Sequence, residues 1–145
     1  MNEVRGVDTL LNKYAESHQN HVNELIHFAC VPAIMWAALA LIWAIHPALS
    51  VAAGLLALAY YISLSIPLAI GMGVMAAIML GILYVLPPAV ISPAAIIVFV
   101  VAWIFQFIGH KIEGKKPSFF DDLRFLLIGP LFVLGFLYRR LKITY

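Results

Sequence analysis

The stretch from Phe28 to His110 contains no Asp, Glu, Lys or Arg, and this uncharged block makes up more than half of the 145-residue chain. Charged side chains are costly in lipid, and a helix of about 20 apolar residues crosses the hydrocarbon core of a bilayer. Only 11% of the residues are charged, against about 25% in soluble domains. The sequence therefore predicts an all-α integral membrane protein, with residues 1–145 forming a single membrane-embedded domain.

Prolines divide the uncharged block into four predicted transmembrane helices. The apolar stretch after Pro47 is too long for one crossing, so it predicts two helices joined by a tight turn at 63–67, with the glycines at 71–73 as the alternative turn. Ser92 provides a cap and Pro93 suits a first helical position, which predicts the start of the fourth helix. The predicted spans are residues 28–45, two helices within 48–86, and 93–113.

The segments outside the block predict two shorter helices. Val7, Leu10, Leu11 and Tyr14 follow the spacing of one helix face, which is typical of an N-terminal amphipathic helix on the bilayer surface. Residues 118–121 resemble a capping box. The apolar run 125–138 that follows is interrupted by Gly-Pro and is too short for a crossing, so we expect a re-entrant or interfacial segment, or one packed on the bundle.

Four crossings place the start of the first span and the end of the fourth at the same membrane face. All nine Lys and Arg residues then lie on that side, which the positive-inside rule identifies as cytoplasmic for both termini. The membrane would be the inner membrane in a bacterium or the endoplasmic reticulum in a eukaryote. A net charge of +2 gives no reason to expect a nucleic-acid partner. The small residues Gly73, Ala77 and Gly81 would allow close helix packing, either within the chain or in a homo-oligomer.

Four of the five histidines lie beside the edges of the uncharged block, and His46 lies within it. Imidazole is a frequent transition-metal ligand, so this clustering suggests a metal site. His18 and His27 are nine positions apart and would face opposite ways on one continuous helix. They can share a centre only if the helix breaks near His18, and Asn20 is a suitable N-cap for a new helix there. On the fourth span, Gln106, His110 and Glu113 share one face.

These polar residues carry a resemblance to a known family. The pattern combines Tyr14 and His18-x-Asn20-x-x-Asn23-x-x-x-His27 with the late motif Gln106-Phe107-Ile108-Gly109-His110 and Glu113. It resembles the membrane-bound 2-hydroxy fatty acid dioxygenases typified by the yeast endoplasmic reticulum enzyme of phytosphingosine breakdown. Members of that family use Fe(II) held by histidines to cleave a 2-hydroxy fatty acid with O2, and the product is one carbon shorter.

The resemblance implies a site and a reaction for this chain. It implies fatty acid alpha-oxidation on a long-chain substrate, Fe(2+) as cofactor, and His18, His27 and His110 as metal ligands. His21, where eukaryotic relatives are expected to have proline, is not carried over as a ligand. Glu113 and Asn23 are the expected supporting residues. Glu113 could supply a carboxylate ligand, orient His110 or simply pair with Lys116, while Asn20, Asn23 and Gln106 could bond to ligands or substrate. Four cations are candidates to meet the substrate carboxylate: Lys111, Lys115, Lys116 and Arg124.

Two other classes of function fit the same composition. A b-type haem electron carrier would also pair histidines between helices, although usually deeper in the bilayer. A non-catalytic scaffold or small transporter would explain the apolar bulk, but it gives no reason for so many polar groups at one edge. The repeated His-x-x-His-His boxes of long-chain membrane hydroxylases and desaturases do not occur in the sequence.

Overall fold

The computed structural model describes residues 6–120 and 122–145, and the regular elements within them are all helical. Helices α2 to α5 are each long and apolar enough to cross a membrane, which confirms the four predicted spans and the membrane class. A short 3₁₀ turn, Ser118–Phe120, precedes the last helix. The helices are α1 (Gly6–Ala15), α2 (His21–Ile45), α3 (Pro47–Leu64), α4 (Ile66–Val85), α5 (Pro88–Glu113) and α6 (Phe125–Arg140).

Single residues with extended backbone separate α2 from α3 and α3 from α4. His46 ends α2 and caps α3, and Ser65 ends α3 and caps α4 with its side chain. The turn at 63–67 is therefore confirmed, and the alternative at 71–73 lies inside α4. At the C-terminal end of α5, Gly114 has the left-handed backbone (φ 78°) that favours glycine, as expected for a helix stop.

Two predicted helix starts are wrong. The fourth span begins at Pro88, not at Pro93, because Pro88 itself occupies the first helical position and Pro93 removes only one N–H from the helix that continues through it. Near the C-terminus, Ser118 begins the 3₁₀ turn and α6 starts only at Phe125. Asp121, the last residue of the predicted capping box, lies outside the described residues.

Helix α2 is the centre of the bundle. It packs along α5 over much of its length and also contacts α3, α4 and α6. Ala37 and Ala40 are fully buried on α2, so small side chains allow neighbouring helices to approach closely. The close α2–α5 packing places the start of the first span beside the end of the fourth, as four crossings require.

The two flanking helices pack on each other and on the bundle. Helix α6 has 16 residues, about 24 Å at 1.5 Å per residue, which is shorter than the hydrocarbon core of about 30 Å. It continues through Gly129 and Pro130 without the expected break, and its middle is buried. Helix α1 buries Val7, Leu11 and Tyr14 in the same hydrophobic cluster as α6, so its apolar face contacts protein.

The small residues of α4 have different surroundings. Gly73 faces Leu58 of α3, whereas a methyl group at Gly81 would meet no described atom within 4 Å. Gly73 therefore contributes to packing within the chain. The possibility of a homo-oligomer stays a prediction.

Gly71 provides a test of how α6 is docked. A Cβ atom at Gly71 would overlap the Tyr138 hydroxyl and a methyl group of Leu134, and the Tyr138 hydroxyl donates to the carbonyl of Pro67 at 2.8 Å. Gly71→Ala should therefore lower the free energy of unfolding by about 1–3 kcal/mol, because α6 must shift and this hydrogen bond is weakened. Thermal unfolding in detergent would measure the change. Gly81→Ala, on the same helix, is the matched control and should leave the stability unchanged or slightly higher. Equal loss in both variants would contradict this packing.

Candidate metal centre

Three histidines from three separate elements meet at one end of the bundle. His18 lies in the connection between α1 and α2, His27 is on α2 and His110 is on α5. All three are buried, with no more than 5% of each side chain exposed. Their ring centroids lie 4.1 to 4.9 Å apart. The structure therefore brings together the three histidines that the motifs singled out.

Backbone carbonyls orient two of the rings. His18 Nδ1 lies 2.6 Å from the carbonyl of Tyr14, and His27 Nδ1 lies 2.9 Å from the carbonyl of Asn23. A carbonyl oxygen can only accept, so each Nδ1 carries the proton and each Nε2 keeps a free lone pair. The second nitrogen of a metal-bound histidine is usually held in this way.

Helices α1 and α6 cover the site from outside the spanning bundle. The ring of Tyr14 stacks on His18 with centroids 4.1 Å apart and an angle of 10° between the planes. Phe132 of α6 packs against both Tyr14 and His18, and Gly129 leaves space for the Tyr14 hydroxyl. Burial lowers the pKa of His18 to about 4, so this imidazole is neutral at pH 7 and can act as a ligand.

The spacing of the ring nitrogens suits a single transition-metal ion. The Nε2 atoms of His27 and His110 lie 3.1 Å apart, and the potential ligand atoms of all three histidines lie within 4.8 Å of one another. With metal–nitrogen bonds of about 2.1 Å, two ligands at a right angle would stand about 3 Å apart. Within the described chain, His18 Nε2 is buried and has no hydrogen-bond partner. The three imidazoles therefore fit a metal as a donor set.

The same spacing argues against the haem alternative. Two axial histidines on opposite faces of a porphyrin have their nitrogens about 4 Å apart, since each bond to iron is about 2 Å. The His27 and His110 nitrogens are 3.1 Å apart, about 1 Å closer than that arrangement requires.

Glu113 binds backbone rather than the histidine rings. Its two carboxylate oxygens accept hydrogen bonds from the backbone N–H groups of Gln19 at 2.8 Å and Asn20 at 2.6 Å. The carboxylate also accepts a long hydrogen bond, 3.4 Å, from the side chain of Asn23. Glu113 thus ties the end of α5 to the segment that directly follows His18.

The buried side chain of Asn23 also connects the end of α5 with the segment around His18. It is fully buried, and its side-chain amide donates to the carbonyl of Ser17 at 3.1 Å. Its carboxamide oxygen lies so close to Gly109 that a Cβ there would collide with it. Gly109, directly before His110, therefore permits the close contact between α2 and α5 at the site.

The remaining polar residues divide between the site and the surface. Asn20 is the N-cap of α2, accepting from the N–H groups of Val22 and Asn23, which is its simplest predicted role. His21 is exposed and lies outside the histidine cluster. His46 is exposed at the opposite end of α2, where it caps α3. Gln106 is buried and lines a large cavity beside the histidines.

Two serines at the site were not predicted. The hydroxyl oxygens of Ser17 and Ser118 lie 2.6 Å apart, and Ser17 Oγ is 3.2 Å from His18 Nδ1. These serines are 101 positions apart in the chain. No local sequence pattern indicates a contact between two serines so far apart in the chain. The contact between Tyr14 and His18, in contrast, could have been predicted from their i, i+4 spacing.

An apolar cavity of about 560 Å³ extends from the three histidines into the bundle. Its far end is lined by Ile42, Val51 and Leu80. His27 and Ile42 are 15 residues apart on α2, so the cavity follows the helix for about 22 Å. This length exceeds the hydrocarbon depth of one leaflet, about 15 Å. Residues along its walls include Met35, Leu39, Leu58, Met72, Phe99 and Trp103.

A second, polar pocket of about 300 Å³ adjoins the site. It shares Ser118 and Phe125 with the apolar cavity, and its other walls include Lys13, Lys115 and Lys116. Of the four cations considered as partners for a carboxylate, Lys115 and Lys116 therefore line a pocket next to the histidines. Arg124 pairs with Asp122 at 2.7 Å, and Lys111 lines neither cavity.

The fold and the site define an integral membrane protein in which a group of three buried histidines could hold a metal at the head of an apolar cavity. The family comparison is more specific. The family model described as "Mpo1-like: 2-hydroxy-palmitic acid dioxygenase Mpo1-like" matches residues 4–141. The chain therefore belongs to this Mpo1-like family of 2-hydroxy fatty acid dioxygenases, which confirms the resemblance over nearly its whole length. No curated protein and no solved structure matches the chain significantly.

The contacts of Glu113 predict a measurable effect on the segment after His18. Glu113→Ala removes the acceptor for the N–H groups of Gln19 and Asn20, so amide hydrogen exchange at these two positions should accelerate by about tenfold or more. Exchange followed by mass spectrometry would measure this. Glu24→Ala removes a carboxylate from the first turn of α2, close in sequence to Gln19 and Asn20, and should leave exchange at both positions nearly unchanged. Similar rates in wild type and Glu113→Ala would contradict the clamping role.

Proposed function

We propose that His18, His27 and His110 bind one Fe(2+) ion, and that the protein is an Fe(II)-dependent dioxygenase of long-chain 2-hydroxy fatty acids. The observation that carries this proposal is the convergence of the three buried histidines at the head of a long apolar cavity. Membership of the Mpo1-like family supports the same reaction.

The donor set suits this cofactor. Three neutral imidazoles leave coordination positions open, as in other non-haem iron oxygenases, where protein ligands occupy only part of the metal's coordination sphere. Neutral ligands also leave the positive charge of the ion uncompensated, so an anionic substrate is favoured over a neutral one. When bound, ferrous iron would supply the redox chemistry that allows O2 to react with the substrate.

The proposed reaction balances without a further reductant. A 2-hydroxy acid, R–CHOH–COOH, and O2 give R–COOH, CO2 and H2O. The C1–C2 bond breaks, C2 becomes the new carboxyl carbon, and the four electrons lost by C1 and C2 are accepted by O2. Neither 2-oxoglutarate nor a nicotinamide cofactor is therefore needed.

The residues around the histidines would bind and position the substrate. The apolar cavity would hold the acyl chain out of water, with the carboxyl end beside the histidines. Lys115 and Lys116, in the adjoining polar pocket, would attract the carboxylate as it approaches. Glu113 and Asn23 are proposed as positioning residues, because they hold the segment that carries His18 and do not contact the cavity themselves.

The arrangement supports a cytoplasmic site. The histidines lie at the end of the bundle that also carries Lys111, Lys115 and Lys116, and positive residues favour the cytoplasmic side of a membrane. We therefore propose that both termini and the histidine site face the cytoplasm. The scaffold or transporter alternative gives no reason for three converging, buried imidazoles, which are costly to desolvate without a ligand.

Metal binding can be tested ligand by ligand. In protein purified without oxygen, His18→Ala, His27→Ala and His110→Ala should each lose most of the bound iron, because each removes one of three protein ligands. Metal content by mass spectrometry, with folding checked by circular dichroism, gives the measurement. His46→Ala and His21→Ala, which alter exposed histidines, should retain wild-type iron. Full iron occupancy in folded His110→Ala protein would refute the assignment.

The reaction has its own test. Wild-type protein with Fe(II) should consume O2 with a long-chain 2-hydroxy fatty acid and release the acid one carbon shorter, identified by mass spectrometry. The unhydroxylated acid of equal length should be inert, because it lacks the oxidisable C2 hydroxyl. If iron-loaded, folded protein consumes no O2 with 2-hydroxy acids of several chain lengths, the proposed substrate class is wrong.

A further inference from the structure

Gln106 is a polar residue in the apolar cavity that the metal site does not account for. It lies one helical turn before His110 on α5, is 5% exposed and lines the cavity beside the histidines. Its carboxamide oxygen is buried, and no described group donates a hydrogen bond to it. Nothing in the described fold therefore uses this acceptor.

A buried acceptor without a partner is destabilising, and a Leu or Met of similar size would remove the penalty. Buried groups of this kind are rare in native proteins, and a functional role is one of the recognised explanations for them. The cavity walls around Gln106 are otherwise mostly apolar, and the unpartnered indole N–H of Trp103 does not donate to it, so a molecule in the cavity can supply the donor. The position of Gln106 next to His110 places that donor near the carboxyl end of the proposed substrate, since side chains four residues apart on a helix are neighbours.

The hydrogen-bonding capacity of the substrate can be compared with that of Gln106. An ionised carboxylate accepts hydrogen bonds but cannot donate them, and an acyl chain neither accepts nor donates them. A hydroxyl group beside the carboxylate is the one donor that a 2-hydroxy fatty acid offers and an unhydroxylated fatty acid lacks. A carboxamide complements the pair, because its oxygen accepts and its NH2 group donates.

We propose that Gln106 is the residue that recognises the 2-hydroxyl group. Its carboxamide oxygen accepts a hydrogen bond from the hydroxyl, and its NH2 group faces the carboxylate. This proposal rests on the proposed function for the substrate class, and it assigns the preference for hydroxylated acids partly to the protein and not to the metal alone. An unhydroxylated acid in the same cavity leaves the acceptor of Gln106 without a partner.

The test compares the binding of 2-hydroxyhexadecanoic and hexadecanoic acid to full-length protein, as purified and under nitrogen, so that no turnover occurs. Isothermal titration gives both dissociation constants, and the iron content is measured in parallel. Gln106→Met removes both polar groups at similar volume. Because both acids lose the contact between the NH2 group and the carboxylate, binding of the hydroxy acid should weaken by about 3- to 10-fold more than binding of hexadecanoic acid, the usual contribution of one further hydrogen bond.

Trp103→Phe is the matched control. Trp103 is on the same helix, lines the same cavity and carries a buried indole N–H without a described partner, but this group is a donor. Its loss should change the affinity for both acids by the same factor. If the ratio of the two affinities falls in Trp103→Phe and not in Gln106→Met, the proposal is wrong.

Thermal unfolding separates recognition from a structural role. Ligand-free Gln106→Met should unfold at the same or a higher temperature than wild type, because an unsatisfied polar group has been replaced by an apolar one. A lower unfolding temperature, or equal weakening of both acids, would show a structural role and overturn the proposal. Gln106→Leu repeats the comparison if the Met variant fails to fold, and failure of both to fold also shows a structural role.

The outcomes distinguish this proposal from the proposed function. Wild-type protein that holds iron and cleaves 2-hydroxy acids, but whose affinity ratio is unchanged by Gln106→Met, refutes only the role of Gln106. Wild-type protein that binds neither acid refutes the substrate class, and the role of Gln106 with it.

Discussion

The close packing of α2 on α5 is the contact on which the candidate site depends. Asn23 meets Gly109 where the two helices approach each other, and one turn later His27 faces His110 with 3.1 Å between their nitrogens. A side chain at Gly109 would push α5 away from Asn23 and separate the two imidazoles. The site is therefore assembled by a helix–helix contact that needs a glycine, and its geometry follows from the packing of the bundle.

Polar groups buried at a membrane edge need hydrogen-bond partners, and different parts of the structure provide them. Backbone carbonyls hold the outer nitrogens of His18 and His27, while Glu113 binds the backbone that follows His18. Helices α1 and α6 then cover the imidazoles through Tyr14 and Phe132. The Nε2 atoms of His18 and His27 stay available for a metal, because the Nδ1 atom of each ring already bonds to a backbone carbonyl. This division explains why two helices outside the four candidate spans are nevertheless part of the site.

The cavity combines two environments that one amphiphilic molecule would need. Its walls along α2 to α5 are apolar for about 22 Å, whereas its head meets the histidines and adjoins a pocket lined by Lys115 and Lys116. Gln106 stands at the boundary between them with an unpartnered acceptor. Such a group lowers stability, so its position at this boundary is better explained by ligand binding than by folding.

The sequence by itself determined the membrane class, the number of spans and the candidate histidines, because charge and hydropathy decide what can enter lipid and because His18, His27 and His110 belong to recognisable motifs. It misplaced the start of α5, since two prolines could each begin a helix and only packing selects between them. The tertiary structure alone decided the contacts between distant segments: Glu113 on the backbone of Gln19 and Asn20, and Ser17 against Ser118. It also decided that α6 covers the site and that Gln106 faces the cavity. Local patterns report which face of a helix is apolar or polar, but which faces meet is set by packing among helices far apart in the chain.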